Sequence, residues 1–258
     1  MSSAYGSIAR PATGKVDDAG MAALVSTLRF PISDTQVLAI VQITADTKMD
    51  VTSPLFKHLQ ELLNAEVRVG NTYPQEHELD AAAFEQYFLS ADAFVCVVAD
   101  QPGIPSWSAM TQWSAAECTD RAAGAFYVKP NYPGRCSHVC NGGFLVHANG
   151  HRGRGVGTAM ALAFLRVAPA LGYKASVFNL VFESNVPSVK LWRRTGFREI
   201  GRVPKAGRLR TDGSQEERFV DAIMFYHDFE SVLPLSVFAA QYPTTRLRTE
   251  QSSGVGNQ

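Results

Sequence analysis

The stretch NGGFLVHANGHRGRGVGTAMALAFLRVAPALGYKASVFNLVFESNVPSVKLWRRTGF, residues 141–197, decides how the chain is read. An apolar strand, Asn141–His147, runs into a Gly/Arg turn, and the turn opens a long apolar helix over Val156–Leu171. A second strand, Ala175–Phe182, is followed by Asn185 and a short helix ending in Gly196-Phe197. The turn Arg152-Gly153-Arg154-Gly155-Val156-Gly157 has the form R-x-x-G-x-G. A helix start leaves four backbone N–H groups without partners, and the helix dipole adds about half a positive charge there. Glycines let that backbone approach a pyrophosphate closely, and Arg152 and Arg154 add charge.

Two other phosphate motifs do not fit. A dinucleotide fingerprint wants G-x-G-x-x-G with an acidic residue about 20 positions on. Here the third glycine is missing, and Glu183 lies about 30 positions beyond. A P-loop wants a Lys after its last Gly, and none is present. A glycine turn that merely caps a core helix stays open on the turn alone. The helix is apolar nearly all round, as a helix packed on a sheet is. The second half of the stretch adds weight: Ser184 or Asn185 can cap the short helix, Pro187 sits in its first turn, and Gly196 ends it.

Working outward, 258 residues suit one domain, or one domain with tails. Lys+Arg and Asp+Glu both number 24, so nothing global points to nucleic acid or an anionic membrane. No apolar run approaches the roughly 20 residues of a membrane span. Residues 1–35 read as a flexible lead-in, 36–230 as the domain, and 231–258 as a largely disordered extension holding SVLPLSVFAAQY, a short docking helix. Four cysteines without a secretory signal suit a reduced cytoplasmic protein, with a mitochondrial fraction left open. Cys136-Ser-His138-Val-Cys140 reads as a loop entering a strand, because no second ligand pair lies nearby; no metal is expected.

The domain itself reads strand Gln36–Ile43, helix Pro54–Arg68, helix Asp80–Leu89 and strand Ala91–Ala99. Asp100–Arg121 reads as an insertion between paired strands, before strand Ala122–Lys129. After Phe197 come a strand, a loop over Pro204–Arg218 and a last strand, Phe219–Tyr226. The class is a mixed α/β sheet with crossover units in its second half.

Together, R-x-x-G-x-G and Asn185-x-x-Ser188-x-x-Leu191-Trp192-x-x-x-Gly196-Phe197 resemble the GNAT family of acetyl-CoA-dependent N-acetyltransferases. The resemblance implies the GNAT fold, a splayed, mostly antiparallel sheet flanked by helices. It implies acetyl-CoA with its pyrophosphate on the backbone of 152–158 (Arg152, Gly153, Arg154, Gly155, Val156, Gly157 and Thr158). The pantetheine arm then lies between two parting strands, beside Leu145, Val146, Leu180 and Asn185. A narrower likeness covers Thr72–Gln75, Phe126–Pro133, Arg135–His138, Cys140–Val146, Gly172–Lys174, Phe178–Phe182, Ile200–Pro204 and Ala206–Gly207. These strings resemble fungal acetyltransferases that act on the ring nitrogen of small cyclic imino acids such as azetidine-2-carboxylate and cis-4-hydroxyproline. That likeness implies proline-analogue detoxification, a homodimer and a fungal source.

On that resemblance Asn141 binds the substrate carboxylate through its amide N–H, and Asn179 orients the nucleophilic nitrogen or the reacting carbonyl. Backbone N–H groups near Val146 receive the oxyanion. Many GNAT enzymes carry a Tyr acid where this chain has Trp192, whose indole is a donor only. Tyr73 either lines the pocket or packs in the core. His138 and His147 are positional candidates for taking the amine's proton, against a structural role. Glu183 lies next to the splay with its direction open. The basic run Arg193–Arg210 is either a solvated face or a contact for the cofactor's ribose phosphate. The expected activity is acetyl transfer to a small-molecule amine. Another small amine, a secondary-metabolite intermediate, a protein lysine and a non-catalytic acetyl-CoA-binding module are the alternatives.

Overall fold

The computed structural model describes residues 11, 14–43, 49–101, 103–210 and 216–230. The chain opens with helix α1 (Asp18–Ser26) and strand β1 (Arg29–Pro31), then β2 (Gln36–Ile43) and helix α2 (Pro54–Val69). Helix α3 (Ala81–Phe84) widens into a π turn over Glu85–Leu89 and leads to β3 (Asp92–Asp100). Helices α4 (Trp107–Met110) and α5 (Ala115–Arg121) precede β4 (Ala122–Pro130). After β5 (Val139–Val146) come α6 (Ala148–His151) and α7 (Val156–Ala170). Then follow β6 (Ala175–Phe182), α8 (Val186–Arg194), β7 (Arg198–Arg210) and β8 (Glu217–Asp228).

Among the described residues eight strands make one sheet, ordered β1-β2-β3-β4-β5-β6-β8-β7. Every neighbouring pair is antiparallel except β5 and β6, which run parallel. Those two pair only at Val139↔Ala175 and Cys140↔Ser176 and then part. This is the splayed, mostly antiparallel sheet that the resemblance implied.

Helices cover both faces, which explains the unbroken apolar run of β3. Phe94, Cys96 and Val98 face α1 and α7, whereas Ala93, Val95, Val97 and Ala99 face α2, α3 and α5. A one-face sheet would have needed alternation. Phe164 and Leu165 of α7 are fully buried. Each such side chain contributes roughly 1.5–3 kcal/mol. Helix α2 begins where Ser53 accepts a hydrogen bond from the Phe56 N–H, with Pro54 in its first turn. It stops at Gly70, whose φ of 73° is left-handed and suits glycine.

Three expectations change. The lead-in assigned to 1–35 holds α1 and β1: Asp17 caps α1 by accepting from Gly20 N–H. Met21, Val25 and Leu28 are buried in the same cluster as α7. Nine residues make a marginal helix alone, so docking rather than propensity stabilises α1. The loop expected over Pro204–Arg218 is mostly strand. β7 is an edge strand whose register shifts between Val203 and Gly207, and that bulge absorbs Pro204. The insertion between β3 and β4 is not bare loop, since α4, α5 and the turn between them bury Met110, Cys118 and Trp113 respectively. The extension over 231–258, with its expected docking helix, lies outside the described residues.

β4 packs closely on β5 at Gly124. A Cβ there would lie 2.5 Å from the Leu145 carbonyl oxygen and 3.1 Å from Met160 Cε. Gly124→Ala is expected to lower stability by about 1–3 kcal/mol through overpacking. A urea denaturation midpoint equal to that of the parent protein would contradict this close approach.

Candidate active site

Where β5 and β6 part, the sheet opens into a groove of about 1820 Å³. That exceeds the range for a drug-sized ligand and leaves room for a cofactor and an acceptor together. Every residue assigned from sequence to the cofactor or to acceptor binding lines it except Arg154. Arg154 is a correction: it reaches back toward the Gly150 carbonyl at 3.5 Å and is not on the groove wall. The residues on either side of it, Gly153 and Gly155, hold φ of 77° and 84°, so the turn carries its side chain off the groove.

One end of the groove is the turn before α7. Gly155 is the N-cap and brings no side-chain cap, which leaves the first helical N–H groups for a ligand. Arg152 donates to Glu66 at 2.5 Å, and Thr72 donates to the other Glu66 oxygen at 2.6 Å. Arg194, from the last turn of α8, donates to Thr158 Oγ1 at 2.8 Å and lines the same end. Most of the basic run is a paired surface instead. Arg193 meets Glu199, Arg202 meets Glu183 and Asp221, and Arg208 meets Glu76 and Glu217. Glu183 is therefore turned to Arg202 and is not on the groove wall.

The middle is aromatic. Trp192 is 4% exposed and packs on Phe178 at 4.5 Å and Phe144 at 4.8 Å between ring centroids. Its indole N–H donates to Ser188 Oγ at 3.0 Å. Asn185 caps α8 by accepting from Ser188 N–H at 3.3 Å. Tyr73 both lines the groove and donates to the Phe144 carbonyl at 3.1 Å. Burial pushes its phenol well above the ordinary value.

The far end gathers amides. β6 shifts register against β8 between Phe178 and Val181, which frees Asn179 from the ladder. Asn179 Nδ2 donates to Asn131 Oδ1 at 2.7 Å, and Asn131 Nδ2 donates to Asn179 Oδ1 at 3.1 Å. The Tyr132 hydroxyl lies 3.4 Å from the same Asn179 oxygen. Asn131 and Tyr132 were legible only as part of a Pro-Asn-Tyr-Pro loop; two prolines around two hydrogen-bonding side chains were the signal. Asn141 Oδ1 accepts from the Gly142 N–H at 2.8 Å, which turns its amide N–H₂ outward as a donor.

The histidines fall elsewhere. His138 is exposed, 3.2 Å from the Arg135 carbonyl, and His147 is not on the groove wall. His147 packs between His58 and His151, at 4.9 and 5.3 Å between ring centroids. Cys140 is a buried free thiol, pushed up by burial.

A sequence model of the acetyltransferase (GNAT) family matches residues 73–197. The N-acetyltransferase aca1 of Schizosaccharomyces pombe is 37% identical over 192 residues, 74% of this chain and 88% of that protein. The chain belongs to the GNAT acetyltransferases. A GCN5-related N-acetyltransferase from Kribbella flavida superposes with a TM-score of 0.56 at 26% identity, over 74% of this chain and 97% of that one. A phosphinothricin acetyltransferase from Sinorhizobium meliloti, solved with acetyl-CoA, shares the fold at 15% identity and a TM-score of 0.55, over 74% and 88%. This GNAT protein is an acetyl-CoA-dependent N-acetyltransferase. No described helix is long and apolar enough to cross a membrane.

The histidine cluster gives a pH prediction. Burial is the main cause lowering the pKa of both His58 and His147, and neighbouring histidines lower them further. The folded chain thus binds fewer protons than the unfolded chain, whose histidines titrate near 6.5. Stability is full above about pH 6.5 and declines as pH falls below it. His58→Gln, which keeps a donor for the Ala122 carbonyl, is expected to flatten that decline. Denaturation midpoints that fall equally from pH 7.5 to 5.5 in parent and variant would reject this cause.

Proposed function

We propose that this GNAT enzyme transfers acetyl from acetyl-CoA to the ring nitrogen of a small cyclic imino acid of the azetidine-2-carboxylate or cis-4-hydroxyproline type. The carrying observation is the reciprocal Asn131–Asn179 amide pair, of which Asn179 lines the same groove as Asn141. The pair alone would survive turning both amides over together, but Asn131 Nδ2 also donates to the Val177 carbonyl at 3.4 Å, which only an N–H can do, so both orientations are set.

The pyrophosphate sits on the turn from Gly153 to Thr158, with Arg152 and Arg194 adding charge. The glycines at 153 and 155 and the uncapped start of α7 suit an anion. The pantetheine arm lies in the splay between Leu145–Val146 and Asn179–Leu180, past Asn185. The neutral ring nitrogen attacks the thioester carbon. The resulting oxyanion is held by backbone N–H near Val146, and collapse expels the CoA sulfur. Asn179 orients the nitrogen or the carbonyl, and Asn141 takes the carboxylate. Trp192 is buried and already donates to Ser188, so it serves as wall, not acid. Four free thiols support a reducing cytoplasm, and the family likeness supports a homodimer.

CoA release with azetidine-2-carboxylate, cis-4-hydroxyproline, proline, a polyamine and a histone peptide tests the reading. Turnover is expected with the imino acids. Turnover with the peptide alone would overturn the substrate class, and tight acetyl-CoA binding without turnover would overturn the reaction.

Asn179→Ala is expected to raise the barrier by about 1.5–3 kcal/mol, roughly tenfold to a hundredfold in rate. Asn131→Ala is expected to match it, and the double variant to be no slower than either single one, because the pair acts as a unit. Additive losses in the kcat values would break that coupling.

A further inference from the structure

Lys129 is a half-buried cation that the reaction as described leaves unused. It stands directly opposite Asn141 in the β4–β5 ladder. Residues so paired put their side chains on the same sheet face, within contact distance. Its Nζ lies 4.4 Å from the ring centre of Tyr127 and 4.6 Å from that of Tyr87. Both rings line the groove. Tyr127 can lie there because its cross-strand partner is Gly143, where any Cβ would strike the phenol ring.

Two aromatic faces attract an ammonium but bring no net negative charge. Among the described residues Lys129 has no carboxylate within ion-pair distance. Burial alone pulls its pKa down to about 8, so it is mainly charged at neutral pH, with no counter-ion among the described residues. Burying a charge without a partner is costly, which makes such a site receptive to an anion. The groove supplies none. Glu66 is the one carboxylate on its wall among the described residues, and Arg152 and Thr72 already hold it.

We propose that Lys129 and Asn141 form an anion subsite for the acceptor's carboxylate, so that Lys129 selects acid-bearing amines over neutral or cationic ones. This rests on the imino-acid reading above and adds the residue that sets its charge preference. Asn141 supplies a directional N–H, and Lys129 supplies the charge that compensates a desolvated carboxylate. A polyamine or a lysine side chain would meet a cation there instead.

The probe is tetrahydrofuran-2-carboxylate, a proline-shaped ring with oxygen in place of the nitrogen, titrated by NMR into the enzyme–CoA complex. Its carboxamide serves as the uncharged control. The parent protein is expected to bind the acid at least tenfold more tightly than the amide. Lys129→Gln is expected to abolish that difference while leaving affinity for acetyl-CoA unchanged. The titratable groups facing Lys129 are the phenols of Tyr87 and Tyr127, and burial raises the latter well above its ordinary range. Affinity of the parent protein for the acid is therefore expected to fall as pH rises through about 8, where Lys129 loses its proton. Lys129→Arg, charged throughout, is expected to keep its affinity to pH 9.5.

Equal loss of acid and amide in Lys129→Gln would overturn the proposal in favour of a packing role. Unchanged acid binding in Lys129→Gln, or no preference for the acid in the parent protein, would overturn it outright. The imino-acid reading fails separately. Binding of the acid through Lys129 without turnover of any imino acid keeps the subsite and rejects the substrate. Turnover of imino acids with an unaltered KM in Lys129→Gln does the reverse.

Discussion

The structure depends on two neighbouring parallel strands that stop pairing after two residues. β5 and β6 meet at Val139/Ala175 and Cys140/Ser176 and then separate. Backbone N–H and C=O groups that lose a ladder partner need another one, or water, because leaving them bare when buried is costly. One such group is satisfied within the chain: the Tyr73 hydroxyl takes the Phe144 carbonyl. The remaining edges face the groove, and on the proposed reading the amides of a pantetheine arm meet them there. What would be a defect in an ordinary sheet is, on the proposed reading, the cofactor slot.

The gap is held open by rings rather than by loops. Phe144 from one strand and Phe178 from the other sit 5.8 Å apart between ring centroids, with Trp192 against both. Phe164 of α7 closes the cluster from below. Gly142 makes room for it, since a Cβ there would meet Phe164 at 2.8 Å. Gly143 makes the same concession to Tyr127 on the opposite face. The paired glycines of Asn141-Gly-Gly-Phe144 thus let aromatic rings approach the strand from both sides, just where it leaves its neighbour.

What was legible in the sequence follows from where each interaction is written. The turn could be read because φ near +80° at Gly153 and Gly155 demands glycine, and that demand is local. The helices α2 and α8 could be read from their caps, and α7 from its apolar run, because these are local as well. The Asn131–Asn179 pair could not, since its members are 48 positions apart and only sheet register unites them. The ion pairs of the basic run were hidden for the same reason, with Arg208 meeting Glu76 across 132 positions. Lys129 looked like the polar end of a strand. Its character comes from Tyr87, which the π turn brings over it. α1 was missed because its nine residues gain their stability from docking, which no local pattern records.

The position of Trp192 bears on how the proposed reaction balances its protons. A neutral ring amine keeps its N–H until attack, after which the nitrogen is cationic and strongly acidic. The departing sulfur is a thiolate whose conjugate acid has a pKa near that of cysteine, about 8.5. Transfer of that one proton from nitrogen to sulfur closes the balance: an N–C bond forms, the C–S bond breaks, and free CoA thiol leaves. A side-chain acid is then dispensable, and an indole committed to Ser188 carries no penalty there. What the site must still provide is a stationary amine, an aligned carbonyl and a compensated carboxylate. On the proposed reading these are tasks for Asn141 and Asn179 on the groove wall and for Lys129, which pairs with Asn141 across the β4–β5 ladder.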